Sequence, residues 1–138
     1  MAKLFNLEIH TPYRLFFTGQ VEAILVTLVD GEIGIYASHS NMNAPIVTGI
    51  LKVKDRNGVW KAAFTTEGLL EVMGTRTFLL VDAAEWPEEI DKERALEAKQ
   101  RAEEQLAAGT FKFEMEDAKA SLKRAETRLA VYEMRKEK

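Results

Sequence analysis

Four arginines, Arg94, Arg101, Arg124 and Arg128, are the side chains whose type and spacing bear most directly on chemistry. A guanidinium group is planar, permanently charged, and presents its donors in a fork that fits phosphate or carboxylate. At about 100° per helical residue, Arg94 and Arg101 share one flank of a helix, just behind a stripe of alanines. Arg124 and Arg128 take the equivalent flank of a second helix. In an antiparallel pair, equivalent flanks lie on the same side, so the four arginines should converge. A phosphate-bearing ligand between them would stabilise the closed pair by mass action. The bland reading is a solvated charged face, with Glu97 pairing to Arg101 and Glu126 lying near Arg124 and Arg128.

Other chemistry is poorly supported. The 138 residues contain no Cys, which excludes disulfides and thiolate metal sites. Two histidines, His10 and His39, are too few for a metal centre and have no Ser or Cys nucleophile at a recognisable spacing. No Gly-rich phosphate loop or paired-carboxylate motif occurs. We therefore expect no catalytic residues and no metal. A net charge of -3 leaves no general nucleic-acid footprint. No apolar run reaches the ~18 residues of a membrane span, and no signal-peptide pattern opens the chain. The expectation is a cytoplasmic protein, with no direct membrane insertion.

The elements that must position the arginines lie in the C-terminal third. Residues 1–89 hold 7 basic and 11 acidic side chains, and residues 90–138 hold 12 and 11. The second part is too densely charged for a separate globular core and reads as exposed helix. Acids after Pro87 (Glu88, Glu89, Asp91) suit a helix start. Helix one is expected from about Glu88 or Asp91 to about Ala107, with Ala108-Gly109-Thr110 as stop and turn. Helix two is expected from about Glu114 to about Arg135. Ala95, Ala98, Ala102 and Gln105 or Leu106 line one stripe of the first. Ala118, Leu122, Ala125, Leu129 and Tyr132 form a heptad seam on the second. Alanines bury little area, at about 25 cal/mol per Å², so the hairpin should be marginal, as a switch requires. A plain hairpin without switching is the competing expectation.

The first part alternates like a sheet. Phe5, Leu7 and Ile9 alternate with polar residues until Thr11-Pro12. Val21 to Val29 reads as a strand, Asp30-Gly31 as a hairpin turn with positive φ at both positions, and Glu32 to Tyr36 as the return. Ala37 to Pro45 reads as a polar loop and Ile46 to Lys54 as a strand. Asn57-Gly58 and Gly74-Thr75-Arg76 are further turns, flanked by Val59 to Thr65, Leu69 to Met73 and Thr77 to Val81. The fold class is α+β: an antiparallel β-sandwich of about ten strands over residues 1–86, then an antiparallel two-helix hairpin over 87–138.

Three stretches together resemble one family. They are Gly31-Glu32-Ile33-Gly34-Ile35-Tyr36 with His39, Gly68-Leu69-Leu70-Glu71-Val72, and Ile90-Asp91-Lys92-Glu93-Arg94-Ala95. Their order and spacing are similar to the epsilon subunit of bacterial F-type rotary ATP synthases over essentially the whole chain. The last stretch fits that family's I/L-D-x-x-R-A nucleotide pattern. The resemblance implies a ten-stranded sandwich docked on the gamma subunit and the membrane rotor ring of c subunits, peripheral on the cytoplasmic face of the membrane. It implies a non-catalytic, helical arm that inhibits ATP hydrolysis when extended into the alpha/beta head and that ATP favours in the folded state. The same subunit with an arm insensitive to nucleotide is the alternative. A sandwich enzyme or carbohydrate-binding module with a helical tail is a third possibility, lacking the carboxylates or stacked aromatics it would need.

By position, the resemblance carries a nucleotide site onto Glu85, Ile90, Asp91, Arg94, Ala95, Arg101, Arg124 and Arg128. The arginines would hold phosphates, Asp91 and Glu85 polar groups of adenine or ribose, and Ile90 and Ala95 the base. ATP is then a regulatory ligand, no cofactor is required, and the need for Mg²⁺ stays open. Glu32 and His39 are placed toward the rotor ring. Lys123, Arg124, Arg128, Arg135 and Lys136 are placed toward an acidic segment of the catalytic beta subunit. The chain departs from the family at Ala37-Ser38 and Asn41 around the loop histidine, at Glu67-Gly68 where Gly-Gly is frequent, and at Trp86-Pro87 before the arm.

Overall fold

The computed structural model describes residues 3–109 and 111–136, so the expected turn residue Thr110 lies outside the described residues. The chain divides into two compact units, Met1–Glu85 and Trp86–Lys138. The first unit holds nine strands: β1 Phe5–His10, β2 Leu15–Leu28, β3 Gly31–Tyr36, β4 Met42–Ile46, β5 Gly49–Asp55, β6 Trp60–Thr65, β7 Gly68–Met73, β8 Arg76–Val81 and β9 Ala84–Glu85.

β2 organises this unit because it serves two layers. Its first half pairs antiparallel with β1, from Phe5↔Val21 to His10↔Leu15. Its second half pairs with β3, from Ala23↔Tyr36 to Leu28↔Gly31, and with β5, from Val21↔Asp55 to Leu25↔Lys52. The β2–β5 register slips between Val21 and Ala23, a bulge that sharpens the twist where the strand passes from one layer to the other. One layer runs β4-β7-β8-β1-β2 and the other β3-β2-β5-β6-β9. The strands that meet are antiparallel except β1 and β8, which run parallel. Between the layers lie Leu7, Ile9, Ile24, Ile35, Leu51, Phe64, Leu70 and Leu79, all fully buried. Burying such side chains contributes about 1.5–3 kcal/mol each.

Three expectations are corrected here. The β2 strand begins at Leu15, not near Val21, because Leu15 to Gln20 pair with β1. The first hairpin turns over Val29 and Asp30, and the positive φ falls on Gly31 alone, at 127°. The turn is thus one residue earlier than Asp30-Gly31. Met42 to Pro45, expected as loop, belong with Ile46 to strand β4, paired to β7 from Met42↔Val72 to Ile46↔Gly68. It closes one end of the strand order, where Pro45 lacks no needed donor. The chain then breaks at Val47-Thr48, so Ile46 and Gly49 belong to different strands.

The second unit opens with a single 3-10 turn, Pro87–Glu89. Trp86 donates its amide to the Glu89 carboxylate at 2.9 Å, and the Glu89 amide donates back to the Trp86 carbonyl at 2.9 Å. Helix α1 spans Lys92–Ala108 and helix α2 spans Lys112–Glu133, followed by a 3-10 turn, Met134–Lys136. Asp91 is the N-cap of α1, and Gly109 closes the helix in the left-handed conformation, φ 62° and ψ 42°. The two helices pack along each other, and so short a connection makes them antiparallel.

Candidate functional site

The nucleotide-site residues expected from sequence fall in both units. Glu85 ends β9 of the sheet unit, half-buried and paired with Phe64. The other seven lie in the helical unit. Ile90 and Ala95 are buried, Asp91, Arg94 and Arg101 are exposed, and Arg124 and Arg128 are half-buried.

The interhelical seam explains where the guanidinium groups stand. Ala95 and Ala102 are the buried residues within α1, and Ala118 and Ala125 are buried on α2. Arg94 and Arg101 each precede a buried alanine of α1 by one residue. Arg124 precedes Ala125, and Arg128 precedes half-buried Leu129. A one-residue step back rotates a side chain by about 100°, so all four occupy the same flank of their seam. In antiparallel helices these flanks adjoin. Axially, Arg94 and Arg101 are seven residues apart, about 10 Å along α1, too far for one phosphate to touch both backbones. The row suits an extended polyanion.

Local structure holds this row differently on the two helices. The Asp91 carboxylate accepts the Arg94 amide at 3.1 Å, which anchors the first turn of α1 below that arginine. Among the described residues, the Arg94 and Arg101 guanidinium groups make no hydrogen bond or ion pair. Arg124 donates from Nη2 to the Ser121 hydroxyl at 3.4 Å, a long contact to a neutral partner that leaves its charge uncompensated.

Sequence reasoning missed two features of this unit. Thr127 and Val131 are buried, Val131 completely, yet helical rotation of about 100° per residue sets them off the alanine seam of α2. With half-buried Met134 they are spaced four and three, a second stripe that the sequence carries and that the stronger heptad seam obscures. The Thr127 hydroxyl donates to the Lys123 carbonyl one turn back, at 2.7 Å. The turn Pro87–Glu89 also packs on α2. The second missed feature is a cation–aromatic group. Lys92 Nζ stands 5.6 Å from the centre of the Tyr132 ring and Arg135 Cζ 3.8 Å from it.

The residues placed toward a rotor ring or catalytic head are also located. Glu32 is exposed at the start of β3, and His39 sits half-buried in the loop before β4. His39 Nδ1 donates to the Ser40 carbonyl at 2.7 Å, since a carbonyl can only accept. Ser38 in this loop has φ 66°, the one positive value at a non-glycine among the described residues. Asn41 Oδ1 accepts the Gly74 amide at 2.8 Å, tying the loop to the β7–β8 turn at a position where the chain departs from the family pattern. On α2, Lys123 is exposed, while Arg135 is half-buried against Tyr132; the Lys136 side chain lies outside the described residues. Among the described residues, no group of three or more His, Asp or Glu comes together as a metal site, and no helix is long and apolar enough to cross a membrane.

Two family descriptions match the chain in succession. Residues 4–87 match the family described as "ATP synthase, Delta/Epsilon chain, beta-sandwich domain", and residues 88–133 match "ATP synthase, Delta/Epsilon chain, long alpha-helix domain". The ATP synthase epsilon chain of Caldanaerobacter subterraneus subsp. tengcongensis is 48% identical over 132 residues, covering 95% of each chain. That of Caldicellulosiruptor saccharolyticus is 46% identical, covering 96% of each. Among solved structures, a chain of the Euglena gracilis mitochondrial ATP synthase superposes with a TM-score of 0.70 at 21% identity, over 94% of this chain and 78% of that one. A chain of the Tetrahymena thermophila mitochondrial ATP synthase central stalk and c-ring superposes with a TM-score of 0.62 at 14% identity, over 95% and 98%. At those identities the superpositions speak for the fold. With both family matches and close relatives spanning nearly its full length, the chain belongs to the ATP synthase epsilon-chain family and is a non-catalytic subunit.

Proposed function

We propose that the chain is a central-stalk subunit of a bacterial F-type ATP synthase, peripheral on the cytoplasmic face of the membrane. Its sheet unit couples the gamma subunit to the membrane ring of c subunits. Its helical unit is a regulatory arm that inhibits ATP hydrolysis when extended toward the alpha/beta head. ATP stabilises the closed hairpin, with Arg94, Arg101, Arg124 and Arg128 on its phosphates. Asp91 and Glu85 serve polar groups of the adenosine, and Ile90 and Ala95 pack its base.

The observation that supports the nucleotide reading is the common offset of the four arginines from the buried seam, one residue before each seam position. A shared flank concentrates positive charge along a line, where a polyphosphate gains several charge-assisted hydrogen bonds at once. A seam built on alanines supplies little closing energy of its own, so a bridging ligand shifts the balance.

Calorimetric titration of the full chain with ATP, with and without Mg²⁺, tests this. Saturable binding is expected at millimolar ATP or below, weakened at least tenfold in Arg94→Ala. Arg94→Lys, which keeps the charge and loses the fork, should fall between them. No heat with wild type, or an Arg94→Ala titration superposable on wild type, removes nucleotide sensing and leaves an arm insensitive to ATP. Inhibition is tested separately in the whole enzyme. Deleting residues 88–138 should raise ATP hydrolysis, and an unchanged rate removes the inhibitory role.

A further inference from the structure

We infer that Tyr132, held between Lys92 and Arg135, is a latch that keeps the open end of the helical hairpin closed before any anion binds. Its role is positioning: it acts on the arginine row through the seam and touches no ligand. The inference deepens the nucleotide reading but can be tested without it.

The argument begins with where the hairpin is weakest. At one end the helices are joined covalently through the connection at Gly109. At the other, the first turn of α1 faces the last turn of α2 with no covalent tie, and the seam between is carried by Ala95, Ala102, Ala118 and Ala125. Separation of marginally packed helices starts at such an end. Arg94 stands in that first turn, so fraying would dissolve the arginine row from that end.

Lys92 is the first residue of α1 and Tyr132 the second-last of α2. The Lys92 ammonium lies 5.6 Å from the Tyr132 ring centre, within the range of a cation–π attraction. The Arg135 guanidinium lies 3.8 Å from the same centre. Its Nη1 also donates to the Tyr132 carbonyl at 3.1 Å, which fixes that group on the ring. The ring thus takes one cation from the 3-10 turn that follows its own helix and one from the facing helix, and the Lys92 contact is the part that crosses the seam.

Position on the helix separates this device from the anion site. Lys92 and Arg94 are two residues apart, about 200° of rotation, so they stand on nearly opposite sides of α1. A polyanion on the arginine flank therefore does not draw Lys92 off the ring. One flank closes by a built-in contact, the other by a ligand, and each lowers the cost of the other, which is positive coupling between them.

Amide hydrogen exchange on the full chain without nucleotide tests the latch. The reporters are amides of the first turn of α1, including Ala95, which donates to the Asp91 carbonyl at 3.0 Å. Tyr132→Leu, which keeps bulk and removes the π face, should speed their exchange about three- to tenfold, whereas Tyr132→Phe should match wild type. Lys92→Met, at an exposed position, should speed it about two- to fivefold. Amides of β1 serve as the reference and should not change. Equal exchange in the Leu and Phe variants, or no change in Lys92→Met, overturns the latch. Should Tyr132→Leu fail to fold, Lys92→Met and Tyr132→Phe decide the matter alone. In a parallel ATP titration, Tyr132→Leu should weaken binding by the factor seen in exchange. Absence of ATP binding in wild type would defeat the nucleotide reading and leave the exchange result standing.

Discussion

The Asp91 carboxylate accepts a hydrogen bond from the Arg94 amide at 3.1 Å, so one acidic side chain both starts helix α1 and fixes the backbone beneath the first arginine of the row. A negative charge here also faces the positive end of the helix macrodipole. Asp91→Ala should cost the helical unit about 1 kcal/mol, and Asp91→Asn much less, because asparagine caps nearly as well. Circular dichroism melts would show it. Equal losses in the two variants would mean that the cap is unimportant and that charge alone matters.

Val131 is fully buried although helical rotation sets it off the alanine seam. Val131→Ala deletes two buried methyl groups and should destabilise the helical unit by about 2 kcal/mol, counting transfer and residual cavity. Ala130→Ser, at the exposed neighbouring position, is the control and should change little. Urea titration followed by exchange of α2 amides makes the comparison. If both variants behave alike, the second stripe contributes nothing to stability.

In the sheet unit, Gly68 opens β7 with its α-carbon pressed against β8. A β-carbon there would collide with the Leu80 carbonyl oxygen, and that oxygen is backbone and cannot rotate aside. Gly68→Ala should therefore cost about 2–3 kcal/mol through displaced pairing of Gly68 with Val81. Gly74→Ala, whose added carbon meets nothing within 4 Å, should cost less, limited to its φ of 59°. Reversal of that order in denaturation midpoints would refute the steric account.

Acid stability should depend on Glu8. Its carboxylate is bonded to His10 Nε2 at 2.8 Å and to Arg76 Nη2 at 3.2 Å. The hydrogen bond from His10 lowers its pKa most, partial burial opposes the shift, and Arg76 adds to it. The folded value thus lies below that of the unfolded chain. The contribution is complete above the unfolded value and is lost as pH falls through the folded value. Glu8→Gln should be less stable than wild type near pH 7, and the gap should close on the acid side. A gap constant with pH would show that Glu8 contributes through packing alone.

Much of this organisation was legible from the chain. The strand at Phe5–His10 follows from alternation between apolar and polar residues, since side chains on a strand change face at every step, and those at Gly68–Met73 and Arg76–Val81 follow from apolar runs flanking the turn at Gly74. The boundaries of α1 followed from the acids Glu88 to Asp91, of which the structure takes Asp91 as the cap, and from Gly109, whose chemistry serves a stop. Strand β4 was hidden because Pro45 and the polar Asn43 look like loop. Pairing to β7 outweighs that local preference, and only an edge position makes the proline harmless. The early start of β2 was hidden for the same reason: Gly19 has weak strand propensity and interrupts the apolar run, and the ladder to β1 holds it.

For the functional residues the division is sharper. Handedness and 3.6-residue periodicity place four arginines on one flank of their seams from sequence alone, because helical geometry converts spacing into angle. Spacing within one helix says nothing about which groups on separate helices come within a few ångströms. The approach of Lys92 to Tyr132, the burial of Val131 and the Asn41–Gly74 tie are contacts between distant segments. Only the packed structure decides them, since each depends on register between elements that no local rule specifies.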